Sequence, residues 1–452
     1  VTGNRVVITG LGVVTALGNS IDEFWDACLA GRSKVEPIPP AWAHYYQSKS
    51  KAWSPLALPD YATYGLTRAD TLRYDHVVLN ALVAADDAIA DAGFNKVVKD
   101  ARKRSFRLDG VNTDRMGVFI GSGLGCISAA FNNYVPHLLG STSKAVLAAA
   151  QTDDEVPFGE LHANLESRPR VNPLAGCQSM ANAIGAMLSI RYGARGATET
   201  LVCACASGTA AIARAFRAIQ TDEVDVAIAG GSEYYGDRAG GVFMAFDRLQ
   251  TLMTQTEALD TGNRPFDKER SGFLFSQGGS GVVILESARH AENRGASPLA
   301  VIRGMSITSD AYSLTAMSEE NNAIELMFRK LLRDSGIDAV DVSYINSHGT
   351  STIQNDVIEA QILGRVFPAR PYINSTKSLL GHTIGASGAI ECIVTVLSMH
   401  SGKIHPSRNL QNPVFDLNYA TGVCESPIEF AVTHSFGFGG HNAGLLLQNI
   451  AA

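Results

Sequence analysis

With 452 residues, 46% of them hydrophobic and 18% charged, the chain can bury a sizeable core and is long enough for one large duplicated unit or for two to three domains. Its 44 acidic residues outnumber 37 basic ones, and the formal net charge of −7 excludes a general nucleic-acid binder, because neutralising phosphates demands a basic surface. No apolar run reaches the roughly 18 to 20 residues that span a bilayer, and the seven cysteines are scattered without a C-x-x-C pair; the expectation is a cytoplasmic protein with reduced thiols, no disulfide frame, no metal and no membrane partner.

In chain order, Arg5 to Gly12 reads as a buried strand running into a glycine turn, followed by a helix over Ile21 to Leu29. Residues 33–66, rich in Pro, Trp, Tyr and Ser, read as an irregular surface excursion. A helix is expected from Val77 to Asp91, then a strand from Met116 to Ile120 that ends in Gly121-Ser122-Gly123-Leu124-Gly125. Thr200 to Cys203 predicts a strand entering a helix of small residues, Ala204 to Ile219, with a further strand over Val224 to Ala229. Later the order returns: a helix over Asn322 to Asp334, a strand over Val342 to Asn346 ending in Ser347-His348-Gly349-Thr350, a strand over Pro371 to Asn374, a loop with Lys377 and His382, and a helix over Gly385 to Met399.

Each half thus repeats strand, polar loop and helix. This alternation predicts an α/β fold with mixed, mostly parallel sheets, and reactive groups where strand ends meet helix starts. The repeat suggests duplication, with halves 1–290 and 291–452 and with insertions near 33–75 and 138–170.

Cys205 sits in Cys203-Ala204-Cys205-Ala206-Ser207-Gly208, after a strand and at the start of a helix. There the positive end of the helix dipole lowers a thiol pKa, so the position predicts a nucleophile; alone, a cysteine in such a segment is ordinarily a small buried hydrophobe, as Cys203 is read to be. His348 and His382 each follow a predicted strand, flanked by Gly and hydroxyl residues, and either one alone fits a structural histidine equally well. Together, one cysteine and two histidines from equivalent loops suit acyl-thioester chemistry.

The blocks Cys-Ala-Cys-Ala-Ser-Gly, His348-Gly349-Thr350-Ser351-Thr352 with Asn355-Asp356, Ser375-Thr376-Lys377-Ser378 through Gly381-His382, and Ser435-Phe436-Gly437-Phe438-Gly439-Gly440 span nearly the whole chain. Their kind and order resemble the elongating β-ketoacyl-ACP synthases of the thiolase superfamily. The resemblance implies a duplicated, five-layered αβαβα thiolase-like fold and decarboxylative Claisen condensation. By the same resemblance, Cys205 carries the acyl group, and His348 and His382 bind the malonyl thioester carbonyl. Lys377 and Glu359 belong to a polar network around His382, supported by Asp356, Thr350 and Thr352. The backbone N–H groups of Cys205 and Phe438 form the oxyanion hole, Phe438 is a gate, and Leu124 with Phe438 borders the acyl pocket. No dissociable cofactor is implied, since substrates ride on the phosphopantetheine of an acyl carrier protein.

Several positions depart from the family pattern. Ser276-Gln277-Gly278 stands where Gly-Glu-Gly is usual, Ser271 follows Arg270 in place of Asp, and His434 and His441 stand where Asn and Thr are typical. With the two insertions, these departures favour a specialised polyketide or polyene pathway over primary fatty-acid synthesis. The acidic carrier protein is expected to dock on basic residues, loosely Arg68 and Arg73, and the run Lys96, Lys99, Arg102, Lys103, Arg104 and Arg107 is a further candidate or simply a solvated loop. The family is dimeric, so a homodimer or a heterodimer with a chain-length-factor-like subunit is expected. A thiolase or initiating synthase is disfavoured by His382, and a non-catalytic chain-length factor by Cys205.

Overall fold

The fold is that of a computed structural model, which describes residues 4–100, 104–131, 174–237, 240–254, 258–318 and 322–450. The expected insertion at 138–170, and Arg102 and Lys103, lie outside the described residues.

Ten strands form one sheet: β1 (Val6–Val14), β2 (Met116–Gly121), β3 (Thr198–Leu201), β4 (Val226–Tyr234), β5 (Gly278–Ser287), β6 (Ala300–Ser309), β7 (Val342–Asn346), β8 (Tyr372–Asn374), β9 (Phe430–Gly437) and β10 (His441–Asn449). Their order is β8-β7-β9-β10-β6-β1-β5-β4-β2-β3. The halves meet at the β1–β6 pair, and each half has the same order and the same senses: β2 parallel to β3 and β4, β4 antiparallel to β5, and β5 antiparallel to β1, matched by β7, β8, β9, β10 and β6. Four of the five strands in a half therefore share one direction, although neighbouring pairs are a mixture of parallel and antiparallel. The duplication read from alternating elements is a topological identity.

Six helices complete the layers: α1 (His76–Asp91), α2 (Ala183–Tyr192), α3 (Ser207–Gln220), α4 (Asn322–Ser335), α5 (Ile353–Val366) and α6 (Ser387–Ser401). α1 and α2 cover the outer face of the first half-sheet, and α4 and α5 that of the second. α3 and α6 pack on each other between the two half-sheets, which makes the five layers αβαβα. β1, β2, β4 and β5 are buried at every position because helices lie on both faces, and such strands read as unbroken apolar runs. α1 reaches β1 only because Gly10 and Gly12 carry no Cβ; one would stand 2.1 Å and 2.0 Å from the carbonyls of Ala88 and Ala84.

The central position of α6 explains its composition. The stretch Ile384–Ser401 is long and apolar enough for a membrane span by length and composition, yet 83% of it is buried inside the protein. A helix apolar on all sides is expected where both neighbours are protein.

The segment 33–66 is not the surface excursion that its composition suggests. It forms a small sheet in which Ala52–Ser54 pairs with Glu36–Pro37 and with Phe275–Ser276, and Trp42, Ala52 and Trp53 are buried. Tryptophan in this stretch marks packing, not exposure: Trp42 meets Trp53, Phe243 and Phe275 with ring centroids 4.8 Å, 5.2 Å and 6.4 Å apart.

Candidate active site

Between β3 and α3 the chain makes a single 3₁₀ turn, Ala204–Ala206, with Ala204 at φ 48°. The Ser207 hydroxyl holds it, accepting from the Cys203 N–H at 2.8 Å and donating to the Ala204 carbonyl at 2.6 Å. The other half repeats this device: Ile384–Ala386 is a 3₁₀ turn with Ile384 at φ 50°, leading into α6. Ala-Cys-Ala-Ser-Gly at 204–208 faces Ile-Gly-Ala-Ser-Gly at 384–388. The duplication thus extends to residues, and only one copy carries a thiol.

Cys205 is 6% exposed. The end of β9 lies directly against its turn, for a Cβ on Gly437 would come within 2.5 Å of the Cys203 carbonyl and 3.2 Å of the Cys205 nitrogen. The backbone N–H groups of Phe438 and Cys205 both point at the sulfur. The expectation of a lowered thiol pKa is overturned. Burial pushes it up to about 12, with Lys377 opposing and Glu233 adding to the rise, because loss of water outweighs one turn of dipole.

The imidazoles of His348 and His382 stand edge to face, centroids 5.5 Å apart, and line one cavity with Cys205, Thr350, Thr352, Phe273 and Phe438. Their tautomers follow from their neighbours. Lys377 Nζ lies 3.2 Å from His348 Nδ1 and 2.5 Å from Glu391 Oε1; an ammonium offers only protons, so Nδ1 accepts. The Ile384 N–H donates to His382 Nδ1 at 3.3 Å, with the Ser387 hydroxyl 3.0 Å from the same atom. Burial and the Lys377 charge hold both imidazoles well below the usual histidine pKa. Each is therefore neutral, with its one proton on Nε2.

Lys377 and Glu359 make their direct hydrogen bonds to His348, not to His382, which feels Lys377 only through its charge. Glu359, fully buried, accepts the N–H groups of His348 and Gly349 at 2.8 Å and 2.9 Å and the Asn355 amide at 2.9 Å. The spacing of β7 and α5 decides this, since the loop between them folds back onto the first turns of α5. Asp356 ties the same loop through the N–H groups of Thr350 and Ser351 at 3.0 Å each and reaches Phe266 N–H at 2.7 Å; burial raises its pKa to about 6. Thr350 and Thr352 join hydroxyls at 2.8 Å.

Sequence reasoning missed Glu391, Ser387 and Glu233. Glu391 is the one charged side chain in α6, an acid in an otherwise apolar helix, and that anomaly was the available signal. Glu233 ends the Gly-Gly-Ser-Glu stretch of β4, fully buried, and accepts N–H groups from Gly123, Leu124 and Gly385; burial raises its pKa to about 7.

Two family models match: the β-ketoacyl synthase N-terminal domain over residues 3–291 and the C-terminal domain over 299–411. The chain belongs to the β-ketoacyl synthase family. It is 33% identical to the 3-oxoacyl-[acyl-carrier-protein] synthase 2 of Synechocystis sp., over 98% of each chain. A β-ketoacyl synthase from Burkholderia phymatum superposes over 99% of this chain and 100% of its own, with TM-score 0.80 and 29% identity. The AntDE:AntF complex, a type II polyketide acyl-carrier protein with its ketosynthase bound to the hexaketide, matches with TM-score 0.78 and 26% identity over 99% of this chain and 100% of that one.

In this ketosynthase the remaining expected residues divide. Phe438 lines the cavity and is followed by Gly439 and Gly440 at φ 84° and 77°, a backbone that glycine adopts without strain. Leu124 does not border the cavity: its side chain is 45% exposed, because Glu233 pins the Leu124 N–H and turns the loop outward. Arg68 and Arg73 are exposed on a short helix, Arg68–Arg73. The described part of the basic run lies on a pair of strands, Lys96–Asp100 with Ser105–Leu108, and Arg104 bonds to Gly65 and to Asp70 of that helix. Gln277 has a clear role: it accepts the Leu56 N–H through Oε1 at 2.9 Å and donates its backbone N–H to the Ser54 carbonyl at 2.8 Å, stitching the 52–56 segment to the start of β5. Ser271 accepts from the Thr254 N–H at the cavity wall. His441 opens β10 opposite Gly437, its ring beside Gly439.

Proposed function

We propose that this ketosynthase takes an acyl chain from acyl carrier protein onto Cys205 and condenses it with malonyl-ACP, with loss of CO₂, to give β-ketoacyl-ACP. The observation that carries the assignment of roles is that His348 and His382, each with Nδ1 occupied by a neighbouring donor, share one cavity with Cys205, which leaves Nε2–H as the donor each offers. In the first half, the Cys205 thiol attacks the acyl thioester, its proton passes to the departing phosphopantetheine thiolate, and the N–H groups of Cys205 and Phe438 hold the tetrahedral oxyanion. In the second, malonyl decarboxylation leaves an enolate whose oxygen accepts from the two Nε2–H groups. That charge exists only in and after the transition state, so donors fixed in advance accelerate the step. The enolate carbon then attacks the acyl thioester, and the Cys205 thiolate leaves. The sequence requires no dissociable cofactor.

The pathway proposed is a specialised type II polyketide or polyene system. Its support is local: Trp42 and Trp53, from the insertion, pack in the same cluster as Cys205, with Tyr235, Phe243, Phe246, Phe273 and Phe275. Of these rings Phe246 and Phe273 line the cavity, the others backing them, and aromatic lining of this kind favours a flat, unsaturated acyl chain over a flexible saturated one. The Synechocystis relative, by its name, favours the alternative of ordinary 3-oxoacyl-ACP synthesis.

For partners, the exposed Arg68, Arg73, Lys99 and Arg107, on the helix and the strands that Arg104 ties to it, suit an acidic carrier protein. The sheet ends at β3, and the apolar side chains of Val202 and Leu124 stand exposed beyond the adjacent ends of β3 and β2. An edge with apolar flanks and no partner strand among the described residues calls for cover, which a second copy or a chain-length-factor-like subunit would supply. Seven free cysteines suit the reducing cytoplasm.

The test is intact-mass detection of an acyl adduct on incubation with acyl-ACPs of graded length and unsaturation, with Cys205→Ala as control. An adduct on the wild type and none on the variant is expected. Wild-type protein that never acylates would leave a scaffold role, and a preference for plain saturated chains would overturn the pathway.

A further inference from the structure

His434 stands at a position where the family typically carries Asn, and nothing above assigns it a task. It is fully buried in β9, behind the loop that presents His348. Its Nε2 lies 2.6 Å from Glu359 Oε1, the same oxygen that accepts the His348 N–H at 2.8 Å; that N–H also lies 3.4 Å from Nε2, the longer and weaker of its two contacts. Its Nδ1 is buried with no hydrogen-bond partner among the described residues, and its ring is packed by Phe328 of α4 and by Phe436, centroids 4.8 Å and 5.0 Å away. Phe436 in turn stands 5.5 Å from the His348 ring.

Two considerations fix what this histidine does. The contact at 2.6 Å needs a proton between nitrogen and oxygen. Placed on Nε2, it leaves only a bare lone pair at Nδ1; placed on Glu359, it forces a proton onto Nδ1 and buries an N–H with no acceptor, the costlier arrangement. His434 is thus a donor to Glu359. The second consideration is charge. Of the acids around His348, Glu391 pairs with Lys377 and Asp356 with Arg270, at 2.5 Å and 3.6 Å. Among the described residues, His434 is the only ionisable side chain that contacts Glu359.

We propose that His434 is a positioning residue for the decarboxylation half-reaction: it fixes the Glu359 carboxylate that anchors the His348 backbone, and through Phe436 it supports the His348 ring. The inference rests on the role of His348 proposed above. An asparagine here could still donate a hydrogen bond but could not fill the space between Phe328 and Phe436, so the departure from the family replaces one donor by a donor that also packs.

The test uses the full-length protein and two separate assays: transfer of an acyl group from acyl-ACP to Cys205, followed by intact mass, and CO₂ release from malonyl-ACP, with kcat and KM determined. His434→Leu removes the donor, and His434→Asn keeps a donor and removes the ring. Decarboxylation kcat should fall in the order wild type, Asn, Leu, by about tenfold or more for Leu, with KM and the acylation rate within about twofold of wild type. The Leu change added to Glu359→Gln should cost nothing further. If both assays slow alike in the Leu variant, or decarboxylation stays within about twofold, the proposal is overturned. Should the Leu variant not fold, the Asn variant decides: a selective fall in decarboxylation supports the proposal, and unchanged activity ends it. His348→Ala runs alongside. If that variant decarboxylates normally, the reading of His348 has failed; if it does not, a negative result at His434 counts against His434 alone.

Discussion

Lys377 offers the sharpest test of the charge arrangement beneath the two imidazoles. Its ammonium is 2% exposed and does two things: it neutralises Glu391, also buried, and it holds His348 Nδ1 as an acceptor. Lys377→Met fits the same space but leaves the Glu391 carboxylate buried without a cation. Breaking a buried pair from one side costs about 3–5 kcal/mol, a large share of the roughly 5–15 kcal/mol that holds a typical domain. The second variant, Lys377→Met with Glu391→Gln, removes both charges, and its residual cost falls to about 1 kcal/mol, the scale of a lost hydrogen bond. Activity should behave differently. With Lys377 gone, His348 is free to carry its proton on Nδ1 and lose the Nε2–H donor, so malonyl-ACP decarboxylation should drop by about 10²-fold in both variants. Denaturant unfolding reads the first quantity and CO₂ release the second. A single variant destabilised by less than about 1 kcal/mol, or a double variant that regains activity, would refute this reasoning.

Three further outcomes follow from the same geometry. Alkylation of Cys205 by iodoacetamide, read by peptide mass, should rise by about tenfold per pH unit from pH 6 to 9, because its pKa is pushed up to about 12; a plateau below pH 8 would show a stabilised thiolate instead. Gly437→Ala sets a Cβ 2.5 Å from the Cys203 carbonyl and should push β9 off the nucleophile turn, slowing acylation by about tenfold or more in the intact-mass assay; normal acylation would show that the Phe438 N–H is dispensable. His348 and His382 are held well below their unfolded pKa, so below pH 6.5 the unfolded chain binds the extra protons and stability falls with pH, by about 1.4 kcal/mol per unit for each. Gln at both positions should flatten the unfolding free energy between pH 7 and 5.5, and an unchanged slope would assign the acid sensitivity elsewhere.

Much of this was legible along the chain. The strand-to-helix turn at Cys205 and the loops bearing His348 and His382 depend on Gly, Ser and small residues at fixed spacing, and such turn chemistry is local. The helices at 76–91, 322–335 and 387–401 were equally plain, since apolar periodicity over ten or more residues leaves little choice. Strands β5, β6, β9 and β10 were not anticipated beyond the block in β9, because a strand's identity rests on partners far away: β9 and β10 pair with each other, but β10 also needs β6, and β5 needs β1 and β4.

The sequence by itself determined the reacting groups, their loops and the duplicated order of elements. Only the tertiary structure decided that Lys377 serves His348, that Glu391 is its counterion, that Trp42 and Trp53 pack in the nucleophile's own cluster, and that the Cys205 thiol rests protonated. The reason is physical. Those properties depend on which groups lose their water and which charges meet across it, as when Glu359 meets a histidine 75 residues away. Both are set by packing between elements far apart in sequence and not by neighbours in the chain.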